Sequence, residues 1–377
     1  MTSGRVRTAV YLLAWVIIGL IAIDVLINVL FAYPRDPKVT NPSMLRQYFE
    51  YGRSTEGQLR RMTRENPSET APITLTGWYA PLRAVEFPEK SPGSIVTIYG
   101  MSHAVGLGYA LGRVSDRFTP RIVGAPGAST NWSYGAYLRD RGGGKSRAVV
   151  LAFMSQNLPM IAAMSPMTWT LDLPMPYTAD RFYLANGSLQ VIHPPYESFA
   201  QYVETFDDPV EWSAARRFFS ENDPFYNNLI FSSSILDHSA LLRLLRRAYE
   251  QSYLRSRRRA VLDQTGFRPD SEAVRISHAI IHQFVIQARR DGMIPVIYIV
   301  NNLGYSDYAF QALSPELRAD HVPYLSSHVI ASPNDPREYL PDSHFTEEVN
   351  DKLANALVKV IEKAEASQVA VVSAATP

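Results

Sequence analysis

Three residue types that together perform nucleophilic chemistry stand far apart in this chain. Ser102 ends the apolar run "SIVTIYGMS", and Asp342 and His344 sit close together in "PDSHFT" near the other end. A serine hydroxyl is a poor nucleophile until a base takes its proton, and an imidazole acts as that base when a carboxylate orients it. Asp342 and His344 lie two residues apart, and in an extended loop that spacing turns both side chains to one side. Brought together, the three would support acyl transfer through a serine. Blander readings compete on local evidence. Ser102 lies where a strand gives way to a helix, so its hydroxyl could simply cap a free backbone N–H. Asp342 equally reads as a turn residue and His344 as a surface histidine. His103, beside Ser102, invites contact with substrate or reads as a solvated residue at a helix N-terminus.

The elements that must position these residues are legible in the hydrophobic pattern. Apolar strand-like runs occur at 94–99, 121–123, 148–154 and 293–300, with helix-period segments near 103–115, 131–140 and 270–290 between them. Strands alternating with helices predict a parallel α/β sheet covered on both faces. Phe345, Val349, Leu353, Leu357 and Ile361 recur at helical spacing, with Glu347 and Glu348 in the first turn where the helix dipole favours them. Asp342 and His344 therefore fall on the loop leading into a terminal helix. "RFYLANGSLQVI", residues 181–192, carries an Asn-Gly turn between alternating runs and predicts a hairpin set on the sheet. Residues 196–260 read as a helical insertion over one end of the sheet. Residues 34–92, with an apolar patch at "ITLTGWYAPL", read as a linker and lead-in segment, 93–367 as the main domain, and 368–377 as a flexible tail.

Composition narrows the function classes. The 377 residues are 46% hydrophobic and carry a formal net charge of +1, so no basic field gathers nucleic acid over the surface. With no cysteine there is no disulfide, thiolate nucleophile or thiolate metal site. Arg5 and Arg7 precede an apolar stretch from Thr8 to Tyr33 interrupted by Asp24 and Asn28. That stretch is long enough to cross a bilayer, which takes roughly 20 residues. It exceeds the apolar core of a signal peptide, and no small-residue cleavage site stands before Pro34. Residues 1–33 thus read as a cytoplasmic N-tail and an uncleaved single-pass anchor, with Asp24 near its outer end. Basic residues before the span leave the N-terminus in the cytoplasm and the body outside it, which in a Gram-negative cell is the periplasm.

"IYGMSH", "VGAPGAST", "AFMSQNLP" and "PDSHFT" follow one another as do the four blocks of SGNH (GDSL-type) hydrolases, and the chain resembles that family on residues 94–160 and 290–365. The resemblance implies a flavodoxin-like three-layer α/β/α fold and serine esterase chemistry. It implies Ser102 as nucleophile, Asp342 and His344 as acid and base, and an oxyanion hole from the Ser102 and Gly127 backbone N–H groups with the Asn157 amide. Three positions depart from the family pattern: Met101 replaces the aspartate before the serine, and Ser155 and Leu158 replace the glycine and aspartate of the third block. The Asp-x-His spacing resembles relatives that handle acyl groups on bacterial exopolysaccharides.

Other motifs carry less. "GLGYALG", Gly106 to Gly112, has one residue too many for a dinucleotide fingerprint, and its glycines fall inside a helix. "RGGGKS" at 141–146 precedes a strand instead of following one, and Arg139 stands where a phosphate loop needs glycine. His278 and His282 share a helix face, but Ala279 replaces the glutamate of a zinc-protease motif and no third ligand is evident, so that face reads as half-buried. The arginines of "LLRLLRRAYEQSYLRSRRR", residues 241–259, read as a solvated face or as contacts to lipid head groups or an anionic polymer.

These readings converge on an expectation: a membrane-anchored serine esterase or O-acyltransferase acting on an acylated cell-surface or exported glycan. Neither a metal nor a cofactor is called for. A membrane acyl-donor protein would be the partner if the reaction is transfer. A lipid or lysophospholipid esterase and a non-catalytic glycan-binding component stay open as alternatives.

Overall fold

The computed structural model describes residues 2–34, 40, 42–64, 79, 82–125, 127–164 and 179–375. Most of the "ITLTGWYAPL" patch lies outside them. The chain divides into two compact units, one gathering Met1–Thr74 and Phe225–Arg255, the other Leu75–Pro166, Tyr177–Pro224 and Ser256–Pro377. The first unit begins with α1 (Thr2–Leu30), α2 (Met44–Glu50) and α3 (Thr55–Arg64). The second follows with β1 (Val85–Glu86), β2 (Ile95–Gly100), α4 (Ser102–Val114), β3 (Thr119–Gly124), α5 (Thr130–Asp140), β4 (Ala148–Met154), β5 (Arg181–Ala185), β6 (Ser188–Ile192), α6 (Phe199–Asp207) and α7 (Pro209–Asn222). The chain returns to the first unit with α8 (Asn228–Phe231) and most of α9 (Ala240–Arg259). It completes the second with β7 (Leu262–Asp263), β8 (Gly266–Phe267), α10 (Glu272–Arg290), β9 (Ile294–Val300), α11 (Tyr308–Ala319), β10 (Tyr324–Ser326) and α12 (Glu347–Ala375).

The second unit is a mixed α/β structure around a sheet in the order β1-β3-β2-β4-β9-β10. All neighbours pair in parallel except the short edge strand β1, which runs antiparallel to β3. Every residue of β4 ("AVVLAFM") and β9 ("IPVIYIV") is buried, as strands covered on both faces require. The path runs from β2 outward to β3, back across β2 to β4, then on to β9 and β10. Right-handed crossovers therefore put α4 on one face and α5, α10 and α11 on the other. Side chains agree with this. Arg113 of α4 pairs with Asp351 of α12 at 2.6 Å, while on the opposite face the Tyr137 ring of α5 meets Phe284 of α10 at 4.8 Å.

The four strands expected from sequence are all present, and the missing two, β1 and β10, are only two and three residues long. The hairpin at 181–192 forms, with Asn186 and Gly187 both left-handed at its turn, but β5 and β6 make their own two-stranded sheet and do not extend the central one. Two expected boundaries move. The pairing of β1 with β3 brings residues before 93 into the α/β unit. The tail expected to be flexible from 368 is instead helical to Ala375, since no glycine or proline interrupts the chain between Glu347 and that point.

The first unit corrects two further expectations: α2 and α3 do not form a linker, and part of the arginine-rich run is not a solvated face. Arg246 is fully buried, ion-paired to Asp237, with further bonds to the Gly52 carbonyl at 3.2 Å and Ser234 Oγ at 2.7 Å. Asp237 also accepts the Ser54 backbone N–H at 2.7 Å and its hydroxyl at 2.8 Å. Burial works against the Asp237 carboxylate, and the Ser54 N–H and the Arg246 guanidinium outweigh it, holding its pKa below the usual range. Arg243 is buried and donates to the Asp237 carbonyl and to Asn28 Oδ1, and Arg247 lies over the rings of Tyr48 and Tyr51. The insertion expected at 196–260 is thus split between the units after α7.

In α1 the 26-residue span Arg5–Leu30 contains an 18-residue window of mean hydropathy 2.7, and the helix is long and apolar enough to cross a bilayer. Asp24 accepts the Ser239 hydroxyl at 2.8 Å and the Leu241 backbone N–H at 2.9 Å, so it serves the first turn of α9. Removing one partner of the buried pair leaves the other uncompensated. Asp237→Ala is therefore expected to lower the stability of the unit by about 3–5 kcal/mol, read as a loss of urea resistance in the detergent-solubilised full chain.

Candidate active site

The strand β2 ends at a glycine for a steric reason. A Cβ on Gly100 would lie 2.5 Å from the Cβ of Ala104 and 2.7 Å from that of Ala152, so any side chain would push α4 off the sheet. Met101 follows in extended conformation as the N-cap of α4, and its carbonyl accepts the N–H groups of Ala104 at 2.8 Å and Val105 at 3.0 Å. Ser102 is thus the first helical residue and not the cap. Its hydroxyl goes elsewhere, donating to Nε2 of His344 at 2.7 Å.

His344 comes from a tight loop, not the extended one that the spacing suggested. Tyr339 and Phe345 pair as an isolated antiparallel bridge, the Leu340 N–H bonds the His344 carbonyl at 2.7 Å, and the Ser343 N–H closes a turn on the Leu340 carbonyl at 2.9 Å. Ser343 then adopts a left-handed conformation, φ +68°. That residue reverses the chain so that His344 folds back over Asp342. The Asp342 carboxylate takes the His344 backbone N–H on Oδ1 at 3.2 Å and stands 3.0 Å from the ring Nδ1 through Oδ2. The backbone N–H of His344, with its ring, holds the Asp342 carboxyl below its ordinary pKa. With Nδ1–H facing a carboxylate, Nε2 presents its lone pair to Ser102, the tautomer a general base needs.

His103 is not the solvated residue that one reading of its position expected. It is buried, its Nε2–H donates to the Ser343 carbonyl at 3.2 Å, and its ring stacks on that of His344 with centroids 4.9 Å apart. Phe345 meets the His103 ring edge-on at 5.1 Å. Burial, helped by the neighbouring His344, pushes the His103 pKa down to about 4. The residue is therefore a neutral ring packed against the base, pinning the left-handed Ser343.

Gly127 and Asn157 follow β3 and β4, the parallel neighbours of β2, at the same carboxyl edge of the sheet as Ser102. Gly127 lies at an exposed turn after β3 with φ +66°, a conformation that suits glycine. Asn157, in the 3-10 turn Ser155–Met160 after β4, is buried and donates to the Ala128 carbonyl at 3.3 Å. Among the described residues no hydrogen bond joins either one to Ser102 or His344. Ser155 bonds the Val300 carbonyl at 3.2 Å, and Leu158 is buried. Asn131 of α5 is buried and bonds the carbonyls of Ala163 and Asp180.

No family model matches the chain, and no curated protein matches it in sequence. What fold and site define is a mostly parallel α/β protein with a hydrogen-bonded Ser-His-Asp array at the carboxyl end of β2. Sequence reasoning missed the tasks of His103 and Ser343. The turn itself was legible: proline suits the second position of a turn, as Pro341 does here, and Asp and Ser favour turns.

Two outcomes follow from the loop. A β-branched residue at φ +68° is strained, so Ser343→Val is expected to cost about 1–2 kcal/mol of stability by urea unfolding, while Ser343→Gly costs nothing. The second concerns pH. With a pKa near 4 in the folded chain and 6.5 unfolded, the unfolded state binds a proton the folded state lacks between those values. Stability from this residue is full above pH 6.5 and declines as pH falls toward 4, by on the order of 3 kcal/mol in all. Urea midpoints measured across that window should fall less steeply in His103→Gln than in the parent chain.

Proposed function

We propose that the protein is an SGNH-type serine esterase or O-acyltransferase that acts on acyl, foremost acetyl, esters of a cell-surface or exported glycan. The observation that carries this reading is the continuous hydrogen-bonded path from Ser102 through His344 to Asp342. Numbered among themselves, the parallel strands run 2-1-3-4-5, the flavodoxin-like order. Ser102 leaves the first of them, beside the point where the order reverses and such sheets bind ligands. The Asp-x-His spacing and the extracytoplasmic orientation implied by Arg5 and Arg7 favour a glycan ester as substrate. In this reading α1 is a single-pass anchor in the inner membrane, and the α/β unit lies in the periplasm.

The chemistry follows from the atoms present. His344 Nε2 takes the Ser102 proton as Oγ attacks the ester carbonyl carbon, and the negative charge gathers on the carbonyl oxygen. The amino end of α4, where the first backbone N–H groups lack helical partners, is the natural place for that charge. Collapse of the tetrahedral intermediate breaks the ester C–O bond, and His344 returns the proton to the departing sugar hydroxyl. Water or an acceptor hydroxyl then attacks the acyl-serine, again deprotonated by His344. Asp342 holds the imidazole in one tautomer and stabilises its cation.

The test is reactivity of the purified full chain in detergent. A fluorophosphonate probe should label the parent chain and not Ser102→Ala. His344→Ala should reduce aryl acetate turnover by about six orders of magnitude while leaving the circular dichroism spectrum unchanged. A folded parent chain that neither takes the label nor hydrolyses aryl acetates would reject the enzyme and leave a glycan-binding module.

A further inference from the structure

The helix face carrying His278 and His282 does not stand alone in the fold. Packing of α10 against α11 sets Glu316 and Asp320 opposite the two histidines, with Asp320 at the C-cap of α11. Glu316 faces both rings: Oε1 lies 3.8 Å from His282 Nδ1, and Oε2 lies 4.0 Å from His278 Nδ1. Asp320 Oδ2 lies 2.7 Å from His282 Nδ1. Donor atoms of His282, Glu316 and Asp320 all fall within 4.8 Å of one another. The arrangement is two residues one turn apart on one helix facing two residues one turn apart on the next.

His278 supplies the deciding detail. Its Nε2 lies 2.8 Å from the Ala312 carbonyl, which can only accept, so the proton is on Nε2. Nδ1 then faces the Glu316 carboxylate across 4.0 Å, a gap that a metal ion could bridge. A ring nitrogen fixed by a backbone carbonyl while the other faces ligand is also the pattern of metal-bound histidines, where the outer bond sets tautomer and orientation. Zinc bonds to imidazole nitrogen and carboxylate oxygen run about 2.0–2.2 Å, so donors up to about 4 Å apart can share one ion. The 3.8 and 4.0 Å separations from Glu316 meet that limit; the closer His282–Asp320 pair must open, and His278, which stands outside the group of three, must swing toward it. All four residues are partly exposed, which gives an ion a way in.

We propose that His282, Glu316 and Asp320 form a divalent transition-metal site that draws in His278 as a fourth ligand, with zinc the best match to imidazole and carboxylate donors. It is a structural clamp. The ion would join the helices flanking β9 through α10 and the C-terminal end of α11, which leads toward the amino end of β10, away from the carboxyl strand ends where Ser102 emerges.

The full chain, purified in detergent and stripped with EDTA, should take up one zinc per chain when titrated calorimetrically with zinc chloride, and zinc should raise its melting temperature. His282→Ala and Glu316→Gln should each weaken zinc binding at least ten-fold, and aryl acetate turnover of the metal-free proteins should match the parent. His344→Ala should bind zinc as the parent does, which separates this site from the stacked His103–His344 pair. Absence of stoichiometric zinc uptake by the folded parent, or uptake equal in parent, His282→Ala and Glu316→Gln, would overturn the site and leave protonated histidines paired with carboxylates. Uptake lost only in His344→Ala would overturn it in favour of the serine site.

Discussion

The close approach at Gly100 is the constraint on which the site rests. Because the chain there has no side chain, α4 can start one residue beyond the strand and still pack on Ala152 of the neighbouring strand. Met101 takes the cap position with its side chain buried, which leaves Ser102 as the first helical residue, with its hydroxyl free of capping duty. A bulkier residue at 100 would tilt the helix and move both the hydroxyl and the backbone N–H groups of the first turn. The parallel sheet makes this turn an outward one, since strands buried on both faces put every strand-to-helix crossing at an edge open to ligand.

The partner of that turn is built on opposite terms. Asp342 and His344 are substantially exposed, and neither gains its position from burial. They are held by a loop bonded to itself, by the left-handed Ser343, and by the buried His103 ring on which His344 stacks. Exposure keeps the His344–Asp342 hydrogen bond open to substrate, and the buried neighbour supplies rigidity. His103 is suited to this because burial keeps it neutral at ordinary pH, so it adds no second positive charge beside a base that must accept a proton.

The first unit places its ionic groups inside. Asp237, Arg246 and Ser54 satisfy one another around the Gly52 carbonyl, and Arg243 extends the network to Asn28 of α1. Such an arrangement is costly to leave half-made, since an unpaired buried charge has lost its water. Asp24 and Asn28, the polar interruptions of an apolar helix, are explained by this network: they receive the start of α9. The helix is thus bonded to α9, not merely tethered ahead of a folded body.

The sequence by itself determined the parallel α/β class, because continuous apolar runs such as "AVVLAFM" must be covered on both faces whatever their neighbours are. It also determined the apolar span and the residue types able to do acyl chemistry, since these depend on composition and local spacing. Only the tertiary structure decided that Ser102 meets His344, for a hydrogen bond spanning 242 residues has no local signal. The split of residues 196–260 between two units, the interior role of Arg243 and Arg246, and the meeting of His278 and His282 with Glu316 and Asp320 were equally beyond the sequence. Each depends on which surface a second element presents, and periodicity reports only that a face will be covered, not by what.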